Sequence, residues 1–265
     1  MSIHPTALVS PRAQLGESVS VGPFAIIDGD SEVGDRCVIE ASAQIRTGTK
    51  LGPDCFVGSG ALLGGDPNFI GFDRTIPSGV KIGARNVLRE YVTVHRSIHE
   101  RGETTVGVGN FLMAGAHIGH DCTVGNHNVL ANNVLLGGHV DMGSHCFLGG
   151  GSAFHQFVRV GDYAMAQGHS GFSLDLPPYL IGADINVVVG INAVGLKRAG
   201  FSIEERRLIK EAFREVYHSS RTLREVLEEV SEEKMPESLA YFYSFLRGKS
   251  KKGLCIRSAR SREIT

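Results

Sequence analysis

No tryptophan occurs in this sequence, and its five cysteines include no C-x-x-C pair. So few and so scattered, they argue against a disulfide framework. Charge of one sign is missing as well: 27 Lys plus Arg against 28 Asp plus Glu give a formal net charge of −1. That balance excludes the broad basic footprint with which a whole chain holds nucleic acid. No stretch approaches about 18 consecutive apolar residues, so no integral membrane segment is expected. The start, MSIHPTALVS, lacks a basic segment followed by an apolar core, so no secretory signal is read there. A reducing, cytoplasmic setting is the expectation these absences leave.

One end is less even. From Arg247 onward seven cations (Arg247, Lys249, Lys251, Lys252, Arg257, Arg260, Arg262) stand against one acid, Glu263. Such a tail reads either as a solvated terminus or as a docking patch for an acidic partner.

What is abundant is glycine, 34 of 265 residues, and it points to a repeat. Every sixth residue from Ile3 through Val9, Leu15, Val21, Ile27 and on to Leu63 is aliphatic. The phase returns at Ile82, Leu88 and Val94, then runs from Val106 through Ile118, Leu136 and Phe154 to Ala166. Four places after each aliphatic position sits a second, mostly small residue, as in Ala7, Ala13, Ala25, Cys37, Ala43 and Cys55. The residue directly after the aliphatic one is often glycine, as at Gly34, Gly52, Gly119 and Gly137. Period six fits neither a helix at 3.6 nor a simple strand at 2. It fits short strands that turn a corner every six residues, three to a coil of 18, with glycine relieving the corner backbone. The expected fold is a parallel β-helix over residues 1–194. Two segments leave its rhythm and read as loops, at about 64–81 and 95–105. From residue 195 to 265 the pattern turns helical: Ser202 with Glu205 and Thr222 with Glu225 are capping boxes, and Pro236 precedes a third helix.

The register sorts the polar residues. Cys37, Cys55, Cys122 and Cys146 take the small interior slot, so they read as core, not as ligands or nucleophiles. Asn110 and Asn128 take it too and should stack as an amide ladder. His117, His120, Asp121, His139 and His155 fall outside the interior slots. Adding 18 moves one coil along the same edge: Asp121 leads to His139, and His120 to Gly138 and then Gln156. One edge therefore gathers His120, Asp121, Gly138, His139 and Gln156, with His117 and His155 beside it. His4, His99, His127, His145, His169 and His218 read as surface residues. A neutral imidazole can act as a general base, a carboxylate can hold its tautomer, and a glycine N–H can approach an oxyanion. These are the parts of acyl transfer. No Ser or Cys outside the core slots is placed for a covalent step, so direct attack by the acceptor is favoured.

The segments AHIGHDCTVGN, LANNVLLGGHV, AFHQF, DLPPY and GLKRAGFS, in this order, resemble the UDP-N-acetylglucosamine O-acyltransferases of the hexapeptide-repeat superfamily. The resemblance covers nearly the whole chain. It implies a left-handed β-helix with a C-terminal helical domain, assembled as a homotrimer. It implies transfer of a 3-hydroxyacyl chain from acyl carrier protein to the 3-position of UDP-N-acetylglucosamine, the first step of lipid A biosynthesis, with a 3-amino analogue as the variant acceptor. No cofactor is implied beyond the phosphopantetheine arm that carries the acyl group. By the same resemblance His120 is the catalytic base, Asp121 its partner and Gly138 the oxyanion donor. His117, His139, His155 and Gln156 line the cleft between subunits, Asn192 and Arg198 contact the nucleotide, and Gly168 sets acyl-chain length. The chain departs from many members in the first loop, Asn68-Phe69-Ile70-Gly71-Phe72, and at Val194 and Ala199. Two other functions compete: a zinc hydratase of the γ-carbonic anhydrase type, which needs three converging histidines, and a non-enzymatic solenoid scaffold.

Overall fold

The computed structural model describes residues 1–230 and 235–258. It is a left-handed parallel β-helix closed at its C-terminal end by a hairpin and helices. Three sheets, of twelve, nine and eight strands, form the faces of a triangular prism. Strands are mostly two residues long and pair with the coil 18 residues on, as Ser20–Val21 pairs with Val38–Ile39. The aliphatic column points inward: Ile27, Ile45, Leu63, Leu88, Leu112, Ile118 and Leu136 are fully buried. Truncating one of them to Ala would cost about 2–5 kcal/mol, because a close-packed interior cannot collapse around the cavity.

The glycines do a different task from the one their positions suggest. The corner residue with a left-handed backbone is the third after the aliphatic one, and it usually carries a side chain: Ser18, Arg36 and Asp54 have φ of 56°, 57° and 60°. The glycine directly after the aliphatic residue is needed for coil spacing. A Cβ at Gly34 would lie 2.6 Å from the Pro53 backbone nitrogen, and one at Gly52 2.6 Å from the Gly83 carbonyl carbon. Neither glycine has positive φ.

Both expected loops are shorter than their composition suggests. The segment at 64–81 is bracketed by strands Leu62–Gly65 and Gly79–Ile82, and that at 95–105 by Thr93–His95 and Glu103–Val106. The helical region begins earlier than residue 195, with α1 at Ala193–Arg198. It continues as α2 (Ile203–His218), α3 (Leu223–Glu229) and α4 (Glu237–Arg247). Both capping boxes form, Ser202 with Glu205 and Thr222 with Glu225. The end of the prism is covered first by an antiparallel hairpin, Leu180–Ala183 with Val187–Ile191, which extends the twelve-stranded sheet. That hairpin shields the strand edges an open solenoid would expose.

The asparagine ladder starts one coil earlier than expected: Asn86 Oδ1 accepts from the Asn110 side chain and backbone, Asn110 Oδ1 from Asn128 N, and Asn128 Oδ1 from Cys146 N. All five cysteines are free and buried, Cys255 included. The basic tail is ordered where it is described. Arg247 donates to the carbonyls of Leu227 and Val230, and the Lys251 ammonium lies 4.4 Å from the centre of the Phe157 ring. Arg260, Arg262 and Glu263 fall outside the described residues. Among the described residues no helix is long and apolar enough to cross a membrane.

Candidate active site

Three strands of the nine-stranded sheet, His117–Ile118, Leu135–Leu136 and Ala153–Phe154, stack in register and end at one edge of the prism. After them the chain turns through Gly119-His120-Asp121, Gly137-Gly138-His139 and His155-Gln156-Phe157. Asp121, His139 and Phe157 are the left-handed corner residues, with φ of 60°, 59° and 67°. The fold thereby fixes their side chains in a vertical column.

His120 is 4% exposed, and its Nδ1 lies 2.7 Å from Asp121 Oδ2. The carboxylate is held from the loop at 96–102: Ser97 Oγ donates to Oδ1, and Ile98 N–H donates to Oδ2 at 3.2 Å. Thr104 Oγ1 accepts from the Asp121 backbone N–H at 2.7 Å. Burial by itself would raise the Asp121 carboxyl, but the hydrogen bonds from Ser97, His120 and Ile98 outweigh it and hold the group below the usual carboxylate range. The dyad is thus a fixed anion beside an imidazole. His120 Nε2 has no protein hydrogen-bond partner among the described residues.

Gly138 lies directly under the His120 ring. A Cβ there would be 2.6 Å from both Cε1 and Nε2 of His120, so any side chain would push the imidazole away. Gly138 is buried, and its N–H donates to no group among the described residues. That N–H is left open to an acceptor from outside the chain.

His139 meets His120 edge-on at 5.1 Å between ring centres and stacks on Phe157 at 4.5 Å. Burial, against the opposing pull of Asp121, lowers its pKa. His117 is fixed by Thr93 Oγ1 at 2.8 Å from Nδ1, and it packs edge-on against His95. Burial first, and neighbouring imidazoles second, lower both, His95 to about 4. A neutral imidazole pair therefore flanks the dyad at neutral pH. His155 and Gln156 are exposed on the same edge, and the His155 ring lies 3.4 Å from the Gln156 carbonyl. The first loop adds the Phe69 ring, 6.2 Å from His120. Arg96 pins that loop through Asp66 and the carbonyls of Arg74 and Ile76.

Asn192 and Gly168 lie on the other two edges. Asn192 caps α1, accepting from Gly195 N–H, and its amide donates to the Tyr163 carbonyl at 2.9 Å. Tyr163 belongs to the corner column that follows the eight-stranded sheet. Arg198 is exposed, with no partner among the described residues. Gly168, also exposed, follows strand Met165–Ala166 of the twelve-stranded sheet, and a Cβ there would press to 3.1 Å from the Gly150 carbonyl oxygen. One chain therefore gathers His117, His120, Asp121, Gly138, His139, His155 and Gln156, but not Asn192, Arg198 or Gly168.

Sequence reasoning did not find Ser97, Ile98, Thr104, Thr93 or His95. Only Ser97 carried a signal: it stands three residues after Val94, the corner position that Asp121 occupies one coil later. Cys122 is buried, so it does not join His117 and His120 as a metal ligand. The one metal-competent group among the described residues is His99, Asp121 and His139, with donor atoms within 4.8 Å of one another. No three histidines converge there.

A profile described as UDP N-acetylglucosamine O-acyltransferase, domain 2, matches residues 175–255. The bacterial transferase hexapeptide profile matches residues 30–65 and 103–138. Over 217 residues the chain is 43% identical to the acyl-[acyl-carrier-protein]–UDP-N-acetylglucosamine O-acyltransferase of Halorhodospira halophila, spanning 81% of this chain and 84% of that one. The enzyme of the same name from Thermodesulfovibrio yellowstonii is 38% identical over 257 residues, 96% and 98% of the two chains. The solved UDP-N-acetylglucosamine acyltransferase of Francisella novicida matches with a TM-score of 0.92 at 32% identity, covering 99% and 96%.

Proposed function

The chain belongs to the UDP-N-acetylglucosamine O-acyltransferase family, and we propose that it moves a 3-hydroxyacyl chain from acyl carrier protein to the 3-position of UDP-N-acetylglucosamine or its 3-amino analogue. The observation that carries this reading is the pairing of His120 Nδ1 with Asp121 at 2.7 Å while Nε2 lies free above Gly138 and its unpaired N–H. The acceptor hydroxyl or amine attacks the thioester carbonyl carbon, and His120 Nε2 takes its proton. Asp121 keeps the proton on Nδ1 and stabilises the imidazolium. Negative charge grows on the carbonyl oxygen, where Gly138 N–H donates. The intermediate then expels the phosphopantetheine thiolate, and His120 returns its proton to the sulfur. Burial of every cysteine supports direct attack over an acyl-enzyme. No resident cofactor enters the scheme; the acyl donor rides on the carrier protein's arm.

Asn192, Arg198 and Gly168 take part through assembly. Asn192 and Gly168 sit on edges of the prism other than that of His120, which favours a homotrimer whose clefts combine one subunit's dyad with a neighbour's nucleotide and acyl contacts. A guanidinium such as that of Arg198 suits a diphosphate. With no side chain, Gly168 leaves room for a long acyl chain. This reading is set in the cytoplasm, where acyl carrier protein supplies the thioester, and it is the first step of lipid A biosynthesis. It is tested with a panel of 3-hydroxyacyl carrier-protein thioesters against both sugar nucleotides. Transfer to at least one acceptor supports it, and no transfer with any chain length refutes it.

A further inference from the structure

His99 reads from sequence as a surface residue of the second loop, and it is exposed. That loop nevertheless carries it to the active edge, where its ring centre is 6.0 Å from that of His139. His139 Nε2 is 3.9 Å from Asp121 Oδ2. That separation is too long for a hydrogen bond. It is close to the ~3.4 Å between two ligands on one tetrahedral ion with bonds near 2.0–2.1 Å. Ligand atoms of all three residues lie within 4.8 Å of one another. His99 is free to rotate into place, whereas Asp121 and His139 are held by their corner backbones and, for His139, by the Phe157 stack. Asp121 and His139 also line a cavity of about 370 Å³, which gives an ion its path.

We propose that His99, Asp121 and His139 form a site for a divalent first-row transition cation, zinc above all, and that filling it arrests transfer by drawing the Asp121 carboxylate away from His120. Two imidazoles and one carboxylate are a borderline donor set that takes zinc or copper in preference to magnesium or calcium. The ion would compete for Oδ2, the oxygen that receives His120 Nδ1. Lys251, whose ammonium lies 4.4 Å from the centre of the Phe157 ring, lines the same cavity with Arg159 and Lys249, and these charges oppose a cation and temper affinity. The inhibitory part rests on the function proposed above; the binding part does not.

The test titrates zinc into the full chain against a chromophoric chelator, for the wild type, His99→Ala and, as a control from another edge, His127→Ala. One site per chain is expected in the wild type and in His127→Ala, and at least tenfold weaker binding in His99→Ala. In the transfer assay His99→Ala should match the wild type without zinc, and its inhibition constant should rise by the same factor as its binding constant. Equal zinc affinity in the wild type and His99→Ala overturns the site. Zinc bound through His99 without loss of turnover overturns its coupling to Asp121. Because binding is read without activity, absence of transfer from every donor would strike the proposed function and leave the binding result standing.

Discussion

Two edges of the prism are built alike and differ in what they leave unpaired. Along one run Asp121, His139 and Phe157; along another run His127, His145 and Tyr163, also left-handed corner residues 18 apart. Both columns stack rings, His139 on Phe157 at 4.5 Å and His145 on Tyr163 at 4.8 Å. The difference lies in the residue just before each corner. Beside the second column the side chain of one coil takes the N–H of the coil before: Asn126 Oδ1 accepts from Val108 N, Ser144 Oγ from Asn126 N, and Asp162 Oδ1 from Ser144 N. At the first edge the corresponding residues are His120, Gly138 and Gln156. Gly138 has no side chain to offer His120 N–H, and the Gln156 amide does not take Gly138 N–H. The same fold thus spends its corner donors internally on one edge and keeps them available on the other. A loop then brings Ser97 and Ile98 to hold the Asp121 carboxylate beside His120.

This contrast can be broken from the active side first. Replacing His120 by Ala should lower kcat by on the order of 10²–10⁴-fold with unchanged far-UV circular dichroism; equal turnover would remove the base. Gly138→Ser gives the first edge the small hydroxyl of the second, and its Cβ meets His120 at 2.6 Å. It should cost on the order of 10²–10³-fold in kcat, with KM for the nucleotide little changed, as read by steady-state kinetics.

Smaller effects sharpen it. Folded His95 stays neutral down to about 4, against 6.5 for an unperturbed imidazole. Between those values the unfolded chain binds the extra proton, so stability is full above pH 6.5 and falls as pH drops toward 4. The loss is on the order of 2–3 kcal/mol, and denaturant melts of His95→Gln should show that slope flattened. Ser97→Ala removes one hydrogen bond to Asp121 and should slow turnover roughly fivefold, equivalent to about 1 kcal/mol. Asn126→Ala, on the second edge, should cost about 1 kcal/mol of stability and leave turnover untouched. A fall in turnover comparable to that of Ser97→Ala would erase the distinction between the edges.

Much of this was legible in the sequence because a solenoid converts spacing into position. Eighteen residues separate Asp121 from His139, and the coil puts one above the other. The same arithmetic sent Cys122 inward, as a core residue and not a ligand. It failed where insertions break the count. Asn86 lies 24 residues before Asn110, so the ladder's first rung was missed, and Ser97 lies 24 before Asp121 for the same reason. The glycines were misread for a different cause. Composition shows that a residue must be small but not whether torsion or the approach of the next coil demands it. Asn192 and Gly168 fall on edges other than that of His120.

The most direct test watches one amide. In the protein labelled with ¹⁵N-glycine and ¹⁵N-asparagine, the Gly138 and Asn126 N–H resonances are followed while a non-hydrolysable ketone analogue of the acyl thioester is added with UDP-N-acetylglucosamine. Gly138 should shift downfield as it gains an acceptor, and Asn126, already bonded to Ser144, should stay in place. A Gly138 resonance that does not move when the analogue is bound would contradict it.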